Sequence, residues 1–197
     1  MNTLKIEKLA EKNLLHVLEH CFPNAEIQTQ KRLKFDSRTL IVDYYLKLDD
    51  VEFIIEFDGP THYTSVKTQL RDLSLTKYCI INNIKLIRWP YFIQPSSAAL
   101  HHYFGEFALT AEKVEAEYKD GFYDAKIVLP GDYNEFGWKI FFEQYMKFAA
   151  DDKFSIMVEI FESLFSRDSK YGSLENILGV DWKSNKTKKD FYKHYPT

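Results

Sequence analysis

The chain has 197 residues, 45% hydrophobic and 16% aromatic, and a net charge of −3 at neutral pH. That composition suits one ordinary domain, or a compact domain with an extension, and argues against a disordered polypeptide or a protein that coats nucleic acid through bulk positive charge. Its two cysteines, Cys21 and Cys79, have no paired spacing, which argues against a disulfide framework and against a thiolate zinc site.

The opening run MNTLKIEKLAEKN is charged throughout and lacks the apolar core of a signal peptide. No apolar stretch reaches the length of a membrane span, so a cytoplasmic protein without membrane contact is expected. Leu4, Leu9, Leu14, Leu15, Leu18 and Cys21 recur between charges and predict a helix over 3–21, stopped at Phe22-Pro23-Asn24. AEIQTQKRL (25–33) alternates like a strand. TLIVDYYLKL (39–48) and VEFIIEFDG (51–59) are richer in β-branched and aromatic residues and join at Asp49-Asp50. SVKTQLRDLSLTKYCIINN (65–83) predicts a helix with Leu70, Leu73, Ile80 and Ile81 turned inward, ended by Asn82-Asn83. IKLIRWP (84–90) is a further strand closed by Pro90. The order is helix, three strands, helix, strand: an α/β layout with a helix crossing between strands.

FIQPSSAAL (92–100) reads as a linker, giving a boundary between 1–94 and 95–197. The second part is mostly helical in pattern, over 97–118, 136–150 and 153–165, with an extended segment and turn expected over 121–135. Phe136, Ile140, Phe141, Tyr145 and Phe148 fall at helical spacing and predict a core face. Charge is uneven: residues 1–105 carry 13 basic and 12 acidic side chains, 106–181 carry 8 and 16, and the remainder 5 and 1. The acidic stretch leaves DNA binding, homodimerisation and partner binding all open as roles for the C-terminal region.

A two-residue turn at Asp49-Asp50 sets Leu48 against Val51 and Lys47 against Glu52, and by continuation Asp43 against Glu56. Asp58, two residues beyond Glu56, projects from the same face. Three carboxylates on one patch repel one another unless a cation joins them, and carboxylate oxygens suit Mg²⁺ or Mn²⁺. His62 lies four residues past Asp58 and is a candidate general acid or base. Arg71 is a candidate phosphate clamp, and Asp72 a candidate to orient His62.

VDYYL, IIEFDGPTHY, QLRD and IKLIRW together resemble the PD-(D/E)XK nuclease fold, most closely its branch around the very-short-patch repair endonucleases. The resemblance covers residues 28 to 92. It implies a restriction endonuclease-like core and metal-dependent hydrolysis of phosphodiester bonds in DNA. Asp43 matches the first metal-binding acid of that family and Glu56 the second. Asp58 stands where many members carry a lysine, so His62 becomes the substitute for the missing base, and Glu7 or Glu11 could complete the site. Lys31, Arg32, Lys34 and Arg38, just ahead of the Asp43 strand, are the expected DNA contacts. A catalytically inactive nucleic-acid-binding or protein-interaction module on the same fold is the alternative.

Overall fold

The structure, a computed structural model, describes residues 4–6, 11–110, 114–116, 132–148 and 154–179. In chain order the elements are β1 (Leu4–Ile6), α1 (Glu11–Cys21), β2 (Glu26–Phe35), β3 (Arg38–Leu48), β4 (Val51–Asp58), α2 (Thr61–Thr64), α3 (Val66–Ile81) and β5 (Lys85–Pro90). There follow α4 (Ser97–Phe104), a 3-10 helix (Gly105–Thr110), β6 (Val114–Ala116), α5 (Glu135–Lys147), α6 (Phe154–Asp168) and α7 (Leu174–Leu178). Two compact units result: Met1–Gly59 with Val66–Asp124, and Pro60–Ser65 with Ala125–Thr197. No helix among the described residues is long and apolar enough to cross a membrane.

The first unit is α/β, built on a four-stranded mixed sheet in the order β2-β3-β4-β5. The β3–β4 hairpin has the register expected from its turn, with Leu48 opposite Val51 and Lys47 opposite Glu52. Asp49 takes the positive φ of 51° that such a tight turn asks for. α3 carries the chain back so that β5 lies parallel to β4, with Glu56 opposite Arg88. Ile54 and Tyr45 pack beneath Leu75 and Cys79 of α3. On the opposite face, Phe53 meets Phe104 of α4, which in turn meets Phe22 at the end of α1.

Three expectations need correction here. The N-terminal helix begins at Glu11 and not near residue 3, because Leu4–Ile6 pair in parallel with Val114–Ala116. That partner is over 100 residues away, where periodicity within one segment cannot register it. The segment 92–95 is not a linker: Phe92, Ile93, Gln94 and Pro95 are buried, and Trp89 donates its indole N–H to the Ile93 carbonyl at 2.9 Å. The expected boundary at 94/95 therefore falls inside the first unit. Finally, Leu70, Leu73, Ile80 and Ile81 are between 48 and 74% exposed, while Gln69, Leu75 and Cys79 are buried. The helix has turned its mixed polar face to the sheet, for a reason that lies in the sheet's charges.

The second unit is helical, as its pattern predicts, around Trp138, Phe141, Phe142, Phe161 and Phe165. Phe141 and Tyr145 are buried as expected, but Phe136 is exposed and Trp138 takes the inward position. The expected extended segment at 121–135 lies largely outside the described residues. The short α2 is welded to the start of α5. Tyr63 stacks on Tyr133 with ring centroids 4.8 Å apart and donates its hydroxyl to Gln144 at 2.6 Å. Asn134 caps α5 by accepting from the Gly137 N–H at 2.7 Å, while its own N–H donates to the Tyr63 carbonyl at 3.0 Å.

Gly137 is the closest point of that junction: a Cβ there would lie 1.8 Å from the Tyr63 carbonyl oxygen. Backbone cannot yield to that overlap without parting α2 from α5. Gly137→Ala is expected to destabilise the protein by about 3 kcal/mol, the upper end of ordinary overpacking costs, read as a lowered urea midpoint.

Candidate functional site

Glu56 and Asp58 sit at the end of β4, each only 1% exposed. An ionised carboxylate at that depth is tolerated only with a cation or a set of donors. The chain supplies both, differently for the two residues.

Asp58 is held by Arg88 from the neighbouring strand. The guanidinium forks onto the carboxylate, with Nε donating to Oδ2 at 2.8 Å and Nη2 to Oδ1 at 2.6 Å. The same Nη2 lies 2.9 Å from Asp72 Oδ2 on α3. Burial works against the charge on Arg88, but Asp58 first and Asp72 second outweigh it and hold the group cationic. Asp58, Arg88 and Asp72 thus join β4, β5 and α3 through one guanidinium. The Asp58 carboxylate, expected beside Asp43 and Glu56 around a metal, is already engaged by Arg88. Among the described residues no group of three His, Cys, Asp or Glu side chains is arranged to hold a metal ion. Asp72, expected beside His62, is engaged by Arg88. The omitted residue is Arg88, whose role depends on the β4–β5 register and so cannot be counted from one strand.

Glu56 has a more open environment. Its Oε2 accepts from Arg71 Nη2 at 2.7 Å, and its Oε1 accepts from the Asp43 backbone N–H at 3.1 Å. Asp43 answers in kind: its Oδ2 accepts from the Phe57 N–H at 2.9 Å. The two carboxylates therefore face each other's strands, as the hairpin count predicts, and each takes an amide that a regular ladder would give to a carbonyl. Arg71 Nη2 also donates to the Ile41 carbonyl at 2.8 Å, and its side chain is 41% exposed. The electrostatics follow from depth. Burial, and then the Asp43 carboxylate, push Glu56 up to about 7 from an ordinary 4.5, with Arg71 opposing.

Asp43 and Glu56 are hard oxygen donors on adjacent strands, the kind of set that holds Mg²⁺ through one or two carboxylates while water and substrate phosphate complete the shell. Their donor chemistry fits that ion, although Arg71 now carries the charge that balances Glu56. His62 is buried on α2 and belongs to the second unit, whereas the carboxylate pair is built wholly from the first. Glu7 lies outside the described residues, as does the side chain of Glu11.

The expected DNA-contact cations lie on the sheet edge. β2 is an edge strand, and Arg32 and Lys34 are exposed opposite Ile41 and Thr39. Arg38 is exposed at the start of β3. Lys31 differs: its Nζ lies 3.0 Å from the centroid of the Tyr45 ring, a cation–π contact that ties it to the sheet.

Two outcomes are expected. A folded state that keeps a proton on Glu56 which the unfolded chain releases loses stability as pH rises from about 4.5 to about 7. At about 1.4 kcal/mol per pH unit the loss is roughly 3 kcal/mol at most, and Glu56→Gln flattens it, as urea unfolding across pH 4 to 8 would show. Separately, Arg88→Met leaves Asp58 buried without its cation and costs about 3–5 kcal/mol. Adding Asp58→Leu to that variant recovers most of the loss in the same unfolding measurement.

No protein-family model, curated protein or solved structure matches this chain.

Proposed function

We propose that this chain is a metal-dependent DNA endonuclease of the PD-(D/E)XK type, with Asp43 and Glu56 holding Mg²⁺ or Mn²⁺. The observation that carries the reading is the reciprocal Asp43–Glu56 pair at the end of a buried hairpin, with a half-exposed arginine beside it. A bound Mg²⁺ supplies a water of lowered pKa and neutralises charge building on the phosphoryl oxygens. Asp43 and Glu56 orient and anchor that centre through carboxylates already fixed by backbone amides. Arg71, whose side chain is half-exposed, would be the group to reach a non-bridging phosphate oxygen if an ion held by Asp43 and Glu56 balanced the Glu56 charge in its place. Arg32, Lys34 and Arg38 serve the phosphate backbone along the sheet edge. The Asp58–Arg88–Asp72 triad is the rigid floor of the site and takes no part in the reaction. The role expected of His62 is not part of this reading.

A second reading has its own support. Arg71 and Arg88 already compensate Glu56 and Asp58 within the chain. A fold that keeps these residues for structure alone would bind DNA without cutting it.

Supercoiled plasmid, linear duplex and single-stranded DNA, each incubated with Mg²⁺, Mn²⁺ or EDTA, separate the two. The nuclease reading expects nicking that needs metal, vanishes in Asp43→Ala and Glu56→Ala, and falls about 10²–10³-fold in Arg71→Ala. Salt-sensitive DNA binding with no cleavage in any metal would leave the binding module standing. Neither binding nor cleavage would sink both.

A further inference from the structure

Regular pairing stops at one row of the sheet. Thr29 pairs with Tyr44 and Lys31 with Val42, but the intervening Gln30 and Asp43 are not paired in that ladder. The β3–β4 ladder ends at Tyr44 and Ile55, one step short of Asp43 and Glu56. Leu40 and Val42 share an apolar cluster with Tyr45, which strict alternation would place on the other face. Alternation therefore reverses at Asp43, and β2 reverses in step, since Leu33 lies in the same cluster.

The residue that takes up the reversal in β2 is Gln30, with φ of 50°. The other non-glycine residues at positive φ among those described are Asp36, Asp49 and Asn83, all in turns. Asp and Asn enter that region readily because a short polar side chain bonds locally, whereas glutamine has no such ease and stands here inside a strand. Its side chain reaches the row it interrupts: Nε2 donates to Asp43 Oδ1 at 3.3 Å. The other oxygen of that carboxylate accepts from Phe57 N–H. Asp43 is thus held from both neighbouring strands.

We propose that Gln30 is a positioning residue, which fixes the Asp43 carboxylate in its pairing with Glu56 through the kink and the amide together. The consequence for catalysis rests on the nuclease reading, but the positioning itself can be measured without it. The Phe57 amide is the reporter, because it donates to the carboxylate that Gln30 is said to hold. Gln30→Gly permits the same φ without strain and removes the amide. Gln30→Met keeps the side-chain length and removes only the polar end.

Both variants are expected to exchange the Phe57 amide hydrogen about tenfold faster than the wild type. Gln30→Gly should do so with no drop in Tm. Both should bind Mn²⁺ alone about tenfold more weakly in calorimetry, the lower end of what losing a ligand's supporting partner costs. An unchanged Phe57 amide in either variant overturns the positioning role, since the effect would then belong to the backbone alone or to nothing. If the amide loosens in both while the wild type neither binds Mn²⁺ nor cuts DNA, Gln30 keeps its role and the nuclease reading falls. If the wild type cuts DNA and the amide stays fixed in the variants, the nuclease reading stands and the role of Gln30 is lost.

Discussion

Two carboxylates buried at the end of β4 constrain the rest of the first unit. Leaving a leucine-sized side chain in water forgoes about 1.5–3 kcal/mol of burial. Leaving a buried charge without its partner costs about 3–5 kcal/mol. Per group the charge has the larger demand, and α3 meets it. α3 accordingly turns Arg71 and Asp72 toward the sheet cluster and leaves Leu70, Leu73, Ile80 and Ile81 largely exposed. The apolar periodicity of that helix is real, but it marks the face that the charged sheet did not claim.

The two ion pairs differ in a way that locates chemistry. Arg88 is mostly buried, grips Asp58 through two nitrogens and reaches Asp72 as well. Arg71 touches Glu56 through a single nitrogen that it shares with a backbone carbonyl, and much of its side chain is exposed. Glu56 is pushed toward neutrality, because burial and the neighbouring Asp43 carboxylate outweigh what one half-exposed arginine returns. A buried acid whose partner faces solvent can trade that partner for another cation. Asp58 is instead held by a guanidinium that is itself mostly buried.

What the sequence made legible follows the range of the interactions involved. The β3–β4 register was readable because a two-residue turn fixes it locally and alternation propagates it, so Asp43 and Glu56 could be brought together by counting. The Asp58–Arg88 pairing is not legible because it joins β4 to β5, and a parallel register after a helical crossover is set by packing that no local count contains. The kink at Gln30 left no signal either, since glutamine in an extended run has no tendency toward positive φ. The same distance hides the β1–β6 pairing, so the helix expected over 97–118 is α-helical only to Phe104 and gives way to a 3-10 turn and β6. α5 and α6, each carrying its own periodicity, lie where it predicts, while α2 and α7, four and five residues long, are too short to leave such a signal.

The connection between β4 and α3 makes the second unit more than an appendage. Residues 60–65 leave the first unit directly after Asp58 and Gly59 and return to it at Val66, five residues ahead of Arg71. Tyr63, at the centre of that excursion, is part of the second unit's aromatic core and accepts the backbone N–H of Asn134. A C-terminal fragment beginning after residue 94 would lack this tyrosine and the carbonyl against which Gly137 is fitted. The helical unit therefore draws a structural side chain from inside the loop that links the two ion-paired elements. The packing partners of that loop, Tyr133 and Asn134, lie more than 65 residues downstream of it.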